Sequence, residues 1–188
     1  LMSNENLEKR ELMERKGFPE SYNLSQLLDF LNSVKSGKGN IKAPVYSHMH
    51  YDNVPGKFIY VNNPDILIIE GLNVLQPAPL PRDGSAIPYV SDFFDFSIFV
   101  DADEKNIKNW YIQRFLKLKE TAFKEEKSYF NKYSYLSDED AVNVAKTLWE
   151  KINYVNLVEN ILPTRQRASL IIRKLENHSV DQISLRKL

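Results

Sequence analysis

Apolar residues recur with a helical period over two stretches near the start of the chain. Residues 4–16 are mostly charged with three spaced apolar residues, which predicts a short helix that Gly17 and Pro19 end. Leucines and a valine at helical spacing predict a second helix within residues 21–37, and Gly37 is its expected C-terminal stop.

Helical spacing returns in the second half of the chain. Residues 103–123 predict a third helix with aromatic and aliphatic side chains on related faces. Ser137 with Asp140 resembles a capping box and predicts the start of a fourth helix, which runs toward Leu162 and is stopped by Pro163.

Extended segments are predicted between these helices. Residues 41–48 predict an extended segment in which Pro44 favours a sheet edge. The apolar run Ile66–Ile69 and the segment Asp95–Ala102 predict strands buried on both faces, as in a parallel sheet. Residues 169–173 predict a third strand, and the last residues of the chain an edge strand.

The order of these elements predicts the fold class. Strands that alternate with helices indicate an α/β protein with helices on both faces of a sheet. No repeat, low-complexity tract or linker interrupts residues 1–188, so we expect a single domain. The Pro-rich stretch 76–88 is expected to form an exposed or lid-like loop.

Charge balance and cysteine content narrow the function classes. Lys plus Arg and Asp plus Glu number 25 each, so the chain lacks the basic excess typical of nucleic-acid binders. The absence of cysteine removes disulfides, thiolate metal sites and cysteine nucleophiles, and it fits a reducing cytoplasm. No apolar run approaches the ~18 to 20 residues that span a membrane, and the charged start is not a signal peptide.

Glu70 directly follows the predicted strand Ile66–Ile69. Ligands of open α/β sheets bind beyond the carboxyl ends of the strands. Nucleotide-hydrolysing folds place a magnesium-associated carboxylate at such a position. A helix cap or a surface acid is the alternative, and the pattern alone does not decide between them.

Tyr46, His48, His50, Tyr51 and Asp52 form a second group of candidates. His-x-His suggests a metal, but a third ligand at diagnostic spacing is missing, so a metal site is not expected. Aromatic and imidazole side chains can instead stack on a ligand and hydrogen-bond to it. A half-buried strand with alternating sides is the alternative that the pattern by itself favours.

Arg114 lies in the third predicted helix among Trp110, Tyr111 and Phe115. A guanidinium on a buried stem can bind a phosphate through two hydrogen bonds, whereas a surface ion pair is the commoner alternative. The aromatic residues just beyond are typical of a core. Asn153, among apolar helix positions, needs a hydrogen-bond partner from the backbone or from a ligand.

The six glycines do not form a phosphate-binding loop. That loop requires the motif G-x-x-x-x-G-K-[ST], whose backbone amides hold the phosphates and whose lysine neutralises them. No glycine of the 188 residues stands in such a motif. The sequence therefore contains no visible means of binding a triphosphate tightly.

Six stretches of the chain resemble, in order and at similar spacing, the bacterial type I pantothenate kinases. The stretches are RKGFPESYN (Arg15–Asn23), APVYSH with the following Tyr51-Asp52, PDILIIEGLNVLQ (Pro64–Gln76), VSDFFDFSIFVDA (Val90–Ala102), WYIQRFLKLKETAF (Trp110–Phe123) and NILPTRQRASLI (Asn160–Ile171). The resemblance covers nearly the whole chain, and strings such as KGFPESY and EGLNVLQ are specific to that family.

The resemblance implies a P-loop kinase fold with a doubly wound, mainly parallel sheet. It also implies ATP-dependent phosphorylation of pantothenate, the first step of coenzyme A synthesis, with Mg²⁺, in a cytoplasmic homodimer. In the family pattern the phosphate loop and the catalytic-base aspartate precede the residue that matches Leu1, and Leu1 itself stands before Met2. We therefore expect the intact protein to be the kinase and the 188-residue chain alone to be inactive.

The resemblance further implies roles for single residues. Residues that match the pantothenate side of the site are Tyr46, His48, Tyr51, Tyr111 and Asn153. Aromatic residues that match those around the pantothenate and the pantetheine arm are Phe115, Phe123, Tyr129 and Phe130. Arg114 matches a phosphate-side arginine, which would offset charge on the transferring group. His178 matches a residue beside the ATP adenine, and Glu70 matches the acid after the central strand.

Coenzyme A is a feedback inhibitor of the resembled family, and its adenine stacks there between a histidine and a phenylalanine. The histidine corresponds to His48, whereas the phenylalanine position holds Leu118. Leucine offers apolar contact but no ring, so we predict weaker feedback inhibition of the intact protein.

Two alternatives stay open. One is another small-molecule kinase, such as a relative of uridine kinase or phosphoribulokinase. The other is a naturally truncated module without catalysis, which binds coenzyme A or pairs with a full-length subunit.

Overall fold

A computed structural model describes residues 1–77 and 88–187. Among these residues, four α-helices are longer than a single turn: α1 (Asn4–Lys9), α2 (Leu24–Lys35), α3 (Glu104–Glu120) and α4 (Asp138–Leu148). The strands are β1 (Ile41–Ser47), β2 (Asp52–Val61), β3 (Ile98–Ala102), β4 (Leu170–Lys174) and β5 (Val180–Leu185). The predicted loop 76–88 lies largely outside the described residues.

The strands form two separate sheets. β1 and β2 pair as an antiparallel hairpin with an irregularity between Pro44 and Tyr46. β3 and β4 pair in parallel, and β5 adds to β4 as an antiparallel edge strand. The predictions of an edge position for Pro44, of the strand at 169–173 and of a final edge strand are therefore confirmed.

The predicted strand Ile66–Ile69 is wrong, because residues 62–70 are assigned to no strand. No backbone hydrogen bond joins residues 65–70 to another described segment. Ile66 is 80% exposed and Ile68 is 86% exposed, where the pattern predicted burial on both faces. High apolar content alone does not make a strand, since a strand requires neighbouring backbone to receive its hydrogen bonds.

The helix predictions differ in how well their ends were placed. α1 is shorter than predicted, because Glu11 takes a left-handed backbone conformation with φ of 57° just beyond it. α2 and α3 match their predictions closely. The cap of α4 is confirmed, since the Ser137 hydroxyl accepts the backbone N–H of Asp140 at 3.0 Å.

Beyond α4 the chain stays helical but widens twice. The segments Trp149–Asn153 and Leu157–Ile161 are π-helical turns, separated by the α-turn Tyr154–Asn156. Pro163 then lies in the 3₁₀ segment Leu162–Arg167, which ends the helical path near the predicted position. A π-turn shifts the facing of the helix by part of a turn and is frequent at functional sites.

Two apolar clusters stabilise the described residues. The first joins α3 to α4 and consists of Phe115, Phe123, Ala141 and Ala145, each at most 6% exposed. The second lies under the three-stranded sheet and consists of Leu75, Phe99 and Ala168. Fully buried aromatic and aliphatic side chains contribute about 1.5–3 kcal/mol each. Among residues 1–77 and 88–187, no helix is long and apolar enough to cross a membrane.

Candidate functional site

The turn between β1 and β2 carries several of the predicted site residues. The rings of Tyr46 and His48 meet edge to face, with centroids 5.2 Å apart. The Ser47 hydroxyl lies 3.0 Å from Nδ1 of His50 and accepts the backbone N–H of His50. Tyr51 has a φ of 54°, in the left-handed region that tyrosine rarely adopts. Such backbone conformations persist only where the surroundings hold them.

An aromatic wall faces this turn from the other half of the chain. The Tyr51 ring stacks on Tyr129 with centroids 4.8 Å apart, and it meets Phe130 edge to face at 5.0 Å. The ring centroids of Phe130 and Phe123 lie 5.3 Å apart, and those of Phe123 and Phe115 lie 5.4 Å apart. The aromatic residues of the site are thus continuous with the buried cluster between α3 and α4. Tyr129 is 47% exposed and forms the open end of the wall.

A backbone hydrogen bond also joins the turn to this wall. The N–H of Tyr129 donates to the carbonyl of Met49 at 2.9 Å. Met49 is 43% exposed, so the turn presents one side to solvent while its backbone is held.

Tyr111 and Asn153 meet across α3 and the first π-helical turn. Nδ2 of Asn153 donates to the carbonyl of Leu148 at 3.4 Å, and the Asn153 amide lies close enough to the Tyr111 hydroxyl to affect its pKa. Burial raises the pKa of Tyr111, and the nearby amide of Asn153 partly opposes this rise. The widened helix therefore brings an amide close to a phenol, and both side chains are half-buried.

Burial also raises the pKa of the phenols of the hairpin. It raises the pKa of Tyr46 well above the ordinary value of 10.0, and the nearby Tyr51 and Asp52 add to this rise. Burial raises the pKa of Tyr51 as well, with a smaller contribution from Tyr129. Near neutral pH these phenols therefore act as hydrogen-bonding hydroxyl groups.

Arg114 lies on α3 one turn from Tyr111. Its side chain is exposed, and it forms no salt bridge within the described residues. The alternative of a surface ion pair therefore finds no support among residues 1–77 and 88–187. A free guanidinium beside the acceptor-side residues can bind an anion.

His178 lies apart from the aromatic wall. Its ring stacks on Trp110, with centroids 4.3 Å apart and an interplanar angle of 28°. The Trp110 indole N–H donates to the carbonyl of Glu176 at 2.9 Å, and Nζ of Lys174 lies 5.4 Å from the Trp110 ring centroid. Trp110 precedes Tyr111 in α3, so the two groups lie on neighbouring faces of one helix.

Glu70 is exposed and lies on a large cavity rather than at the aromatic wall. The cavity has a volume of about 1210 Å³ and lies between α2, β1 and residues 67–71. Tyr46 and His48 do not line it. No group of three His, Asp or Glu side chains that could hold a metal occurs in the parts of the chain that the structure describes.

Lys16 is a residue of the site that the sequence pattern did not single out. It is only 7% exposed, and its ammonium donates to Oδ1 of Asn4 and to the carbonyl of Tyr51. The ammonium lies 3.9 Å from the Tyr51 ring centroid and 5.3 Å from that of Tyr46. Lys16 lies in the family-specific string KGFPESY, which could have pointed to a role in the site. By itself, however, a charged residue next to a glycine predicts an exposed position.

The carbonyl of Gly17 joins three distant segments. It accepts hydrogen bonds from Nδ2 of Asn73 at 3.0 Å and from Nδ2 of Asn156 at 3.2 Å. Asn156 is 5% exposed and accepts a hydrogen bond from Asn160 at 3.0 Å. Gly17 has a φ of 100°, which a residue with a side chain rarely adopts. The residues after Lys16 are thereby fixed relative to the final helical path.

Comparison of sequences identifies a kinase family. The sequence model of the Phosphoribulokinase / Uridine kinase family matches residues 5–127. A protein named pantothenate kinase from Bradyrhizobium sp. (strain BTAi1) is 54% identical over all 188 residues. Another of that name from Mesorhizobium japonicum is 56% identical over the same length. The chain spans 59% of the length of each of these relatives. The resemblance predicted from the sequence strings is therefore confirmed.

Comparison of structures supports the fold. A solved structure described as a candidate fructose transport system kinase, from Silicibacter sp. TM1040, matches with a TM-score of 0.55. The match covers 88% of this chain and 63% of the other, at 20% identity, so it shows a shared fold alone. The predicted α/β kinase fold class is confirmed by this match and by the family match.

Proposed function

This chain belongs to the phosphoribulokinase and uridine kinase family, and from that premise we propose that it is the acceptor-binding part of a pantothenate kinase. The intact protein would transfer the γ-phosphoryl group of ATP to the hydroxyl of pantothenate. The observation that carries the proposal is the identity of 54–56% to proteins named pantothenate kinase along the entire chain.

The geometry of the aromatic wall supports an acceptor that is part apolar and part polar. Tyr129 and Phe130 offer ring faces, while Tyr46, His48 and the Tyr111–Asn153 pair offer hydrogen-bonding groups nearby. Pantothenate has this character, since it joins apolar methyl groups to hydroxyl, amide and carboxylate groups. Convergence of a few polar groups on an apolar surface is typical of small-molecule sites.

We assign the remaining acceptor-side residues to the same surface. Phe115 and Phe123 are buried beneath it and would shape it rather than present their ring faces. Tyr51 would present its hydroxyl edge, because its ring face is covered by Tyr129 and by the Lys16 ammonium.

Arg114 is the proposed phosphate-side residue. An exposed guanidinium one helical turn from Tyr111 would lie between the acceptor and a transferring phosphoryl group, where it would offset developing negative charge. A phosphoryl-transfer site needs such a cation because the chemistry depends on positioning and charge stabilisation.

The nucleotide side is less complete within these residues. We propose that His178, stacked on Trp110, lies beside the adenine of ATP. Glu70 is proposed as a magnesium-associated acid, although the described residues do not place it in a group of three acidic or imidazole side chains. The 188 residues contain no phosphate-binding loop motif, so we propose that the chain by itself is inactive.

We further propose that the chain forms one domain of a cytoplasmic, homodimeric enzyme of coenzyme A synthesis, which coenzyme A inhibits. These properties are proposed from the resemblance to pantothenate kinases, and they depend on pantothenate being the acceptor.

The test compares the 188-residue chain with a version extended at its N-terminus to the length of the relatives. ATP-dependent phosphorylation of pantothenate is expected only from the extended version, and uridine is the control acceptor. Activity with uridine but not with pantothenate would assign the chain to another branch of the family. Activity in neither version, with retained binding of coenzyme A, would favour a non-catalytic binding module.

A further inference from the structure

Lys16 is an unusual lysine because nearly its whole side chain is buried. It is 7% exposed, although lysine is among the residue types least often found inside proteins. Burial lowers the pKa of its ammonium, and the nearby carboxylate of Asp52 opposes that effect. Burying a cation is costly in free energy unless its N–H groups find hydrogen-bond acceptors, so the contacts of the Lys16 ammonium must offset that cost.

The ammonium of Lys16 links helix α1 to the turn between β1 and β2. It donates to the side-chain oxygen of Asn4 in α1 and to the backbone carbonyl of Tyr51 in the turn. The backbone N–H of Asn4 in turn donates to the carboxylate of Asp52 at 3.0 Å. Nδ2 of Asn53 donates to the carbonyl of Leu1 at 3.1 Å. Three hydrogen bonds thus join the N-terminal segment to residues 51–53.

The atom that Lys16 holds belongs to the one strained residue of the turn. Tyr51 has a φ of 54°, and its carbonyl direction depends on that conformation. The same ammonium lies 3.9 Å from the Tyr51 ring centroid, a distance typical of a cation–π contact. One cation therefore fixes both the backbone and the ring of Tyr51.

We propose that Lys16 is a positioning residue, whose buried ammonium holds the turn that carries His48 and Tyr51 in the conformation that binds the acceptor. Without the ammonium, the Tyr51 carbonyl would lose a donor and the left-handed conformation would lose its support. The ring of Tyr51 would then leave Tyr129, and the aromatic wall would open at its solvent end.

Hydrogen exchange of the 188-residue chain, followed by mass spectrometry, tests the positioning directly. In Lys16→Met, amides of residues 47–53 are expected to exchange at least about tenfold faster, while amides of α3 keep their rates. Lys9→Met is the matched control, because Lys9 is an exposed lysine of the same N-terminal segment, paired with Glu5. Unchanged exchange at residues 47–53, or equal acceleration in α3, would overturn the proposal.

A second variant covers the case in which Lys16→Met does not fold. Asn4→Ala removes one acceptor of the Lys16 ammonium but leaves the lysine and the Asn4 backbone N–H in place. It is expected to accelerate exchange at residues 47–53 by about threefold and nowhere else. Unchanged exchange at residues 47–53 would contradict the proposed role of the Lys16 hydrogen bonds.

Ligand binding separates this inference from the proposed function on which its acceptor part rests. Pantothenate is titrated by calorimetry into the wild-type chain and into Lys16→Met, and at least about tenfold weaker binding is expected for the variant. Equal affinities would overturn the link to the acceptor. If wild type binds no pantothenate, the proposed function fails for this chain, whereas the exchange result still decides whether Lys16 holds the turn.

Discussion

The rings of Tyr51 and Tyr129 stack at a centroid distance of 4.8 Å, although the residues are far apart in the chain. The backbone N–H of Tyr129 also donates to the carbonyl of Met49, two residues before Tyr51. These two contacts join the β1–β2 hairpin to the segment that follows α3. The candidate site exists only because this junction brings the two halves of the chain together.

The stacked pair is expected to show a measurable coupling energy. Stacked aromatic pairs contribute about 0.5–1.5 kcal/mol beyond their buried area. A double-mutant cycle of Tyr51→Ala and Tyr129→Ala, measured by urea unfolding, should give a coupling in that range. Tyr135 is 82% exposed, and Tyr135→Ala should show no coupling with Tyr51→Ala. Additive effects of the first pair would mean that the stack does not form in solution.

The buried cluster between α3 and α4 should respond much more strongly than the surface. Phe115 is 5% exposed, so Phe115→Ala is expected to lower the free energy of unfolding by about 3–5 kcal/mol through lost burial and a cavity. Phe96 is 54% exposed, and Phe96→Ala should change it far less. Chemical denaturation followed by circular dichroism measures both, and similar losses would contradict the assigned core.

The hydrogen bond from Asn156 to the Gly17 carbonyl is expected to contribute to stability. Asn156→Ala removes one of the two side-chain donors to that carbonyl and leaves Asn160 without its acceptor, so a loss of about 1–3 kcal/mol in unfolding free energy is expected. Asn32→Ala, at an exposed position of α2, is the matched control and should cost little. A neutral Asn156→Ala would show that the buried amide contributes nothing.

Stability should fall in alkaline solution. The pKa values of Tyr22, Tyr46, Tyr51 and Tyr111 are raised above 10.0 by burial, so in that range the folded chain retains protons that the unfolded chain loses. Their contribution to stability is present below pH 10 and is lost as pH rises through the folded pKa values. Lys16 acts oppositely, because its lowered pKa makes stability rise toward 10.5.

The four phenols outnumber the one lysine, so the net effect above pH 10 is destabilisation. Urea unfolding at about pH 8 and about pH 11 measures it, with phenol ionisation followed by absorbance. Tyr51→Phe should lessen the loss, since it removes one of the four groups. Equal unfolding free energies at both pH values would contradict the burial of these rings.

Feedback inhibition is expected to be weak in the intact protein. Leu118 packs against the Phe115 cluster and offers no ring to an adenine held by His48. Leu118→Phe in the extended protein should lower the coenzyme A concentration needed for half inhibition by about tenfold, since a stacked aromatic contact adds about 1–3 kcal/mol. Equal inhibition of wild type and variant would refute this prediction.

The local pattern of the sequence determined the helices and the chemistry of the candidate residues. The periodicity of α2 and α3 and the serine cap of α4 depend on residues a few positions apart, so the pattern was sufficient to predict them. The strings around Tyr46, Tyr111 and Asn160 were sufficient to predict the resemblance to pantothenate kinases.

Only the tertiary structure decided which apolar segments pair and which polar groups meet. Ile66–Ile69 has the composition of a central strand, yet a strand exists only where another backbone accepts its hydrogen bonds. The left-handed Tyr51, its stack on Tyr129 and the burial of Lys16 likewise depend on residues far apart in the chain. Such contacts require the closing of long loops, and no local spacing records them.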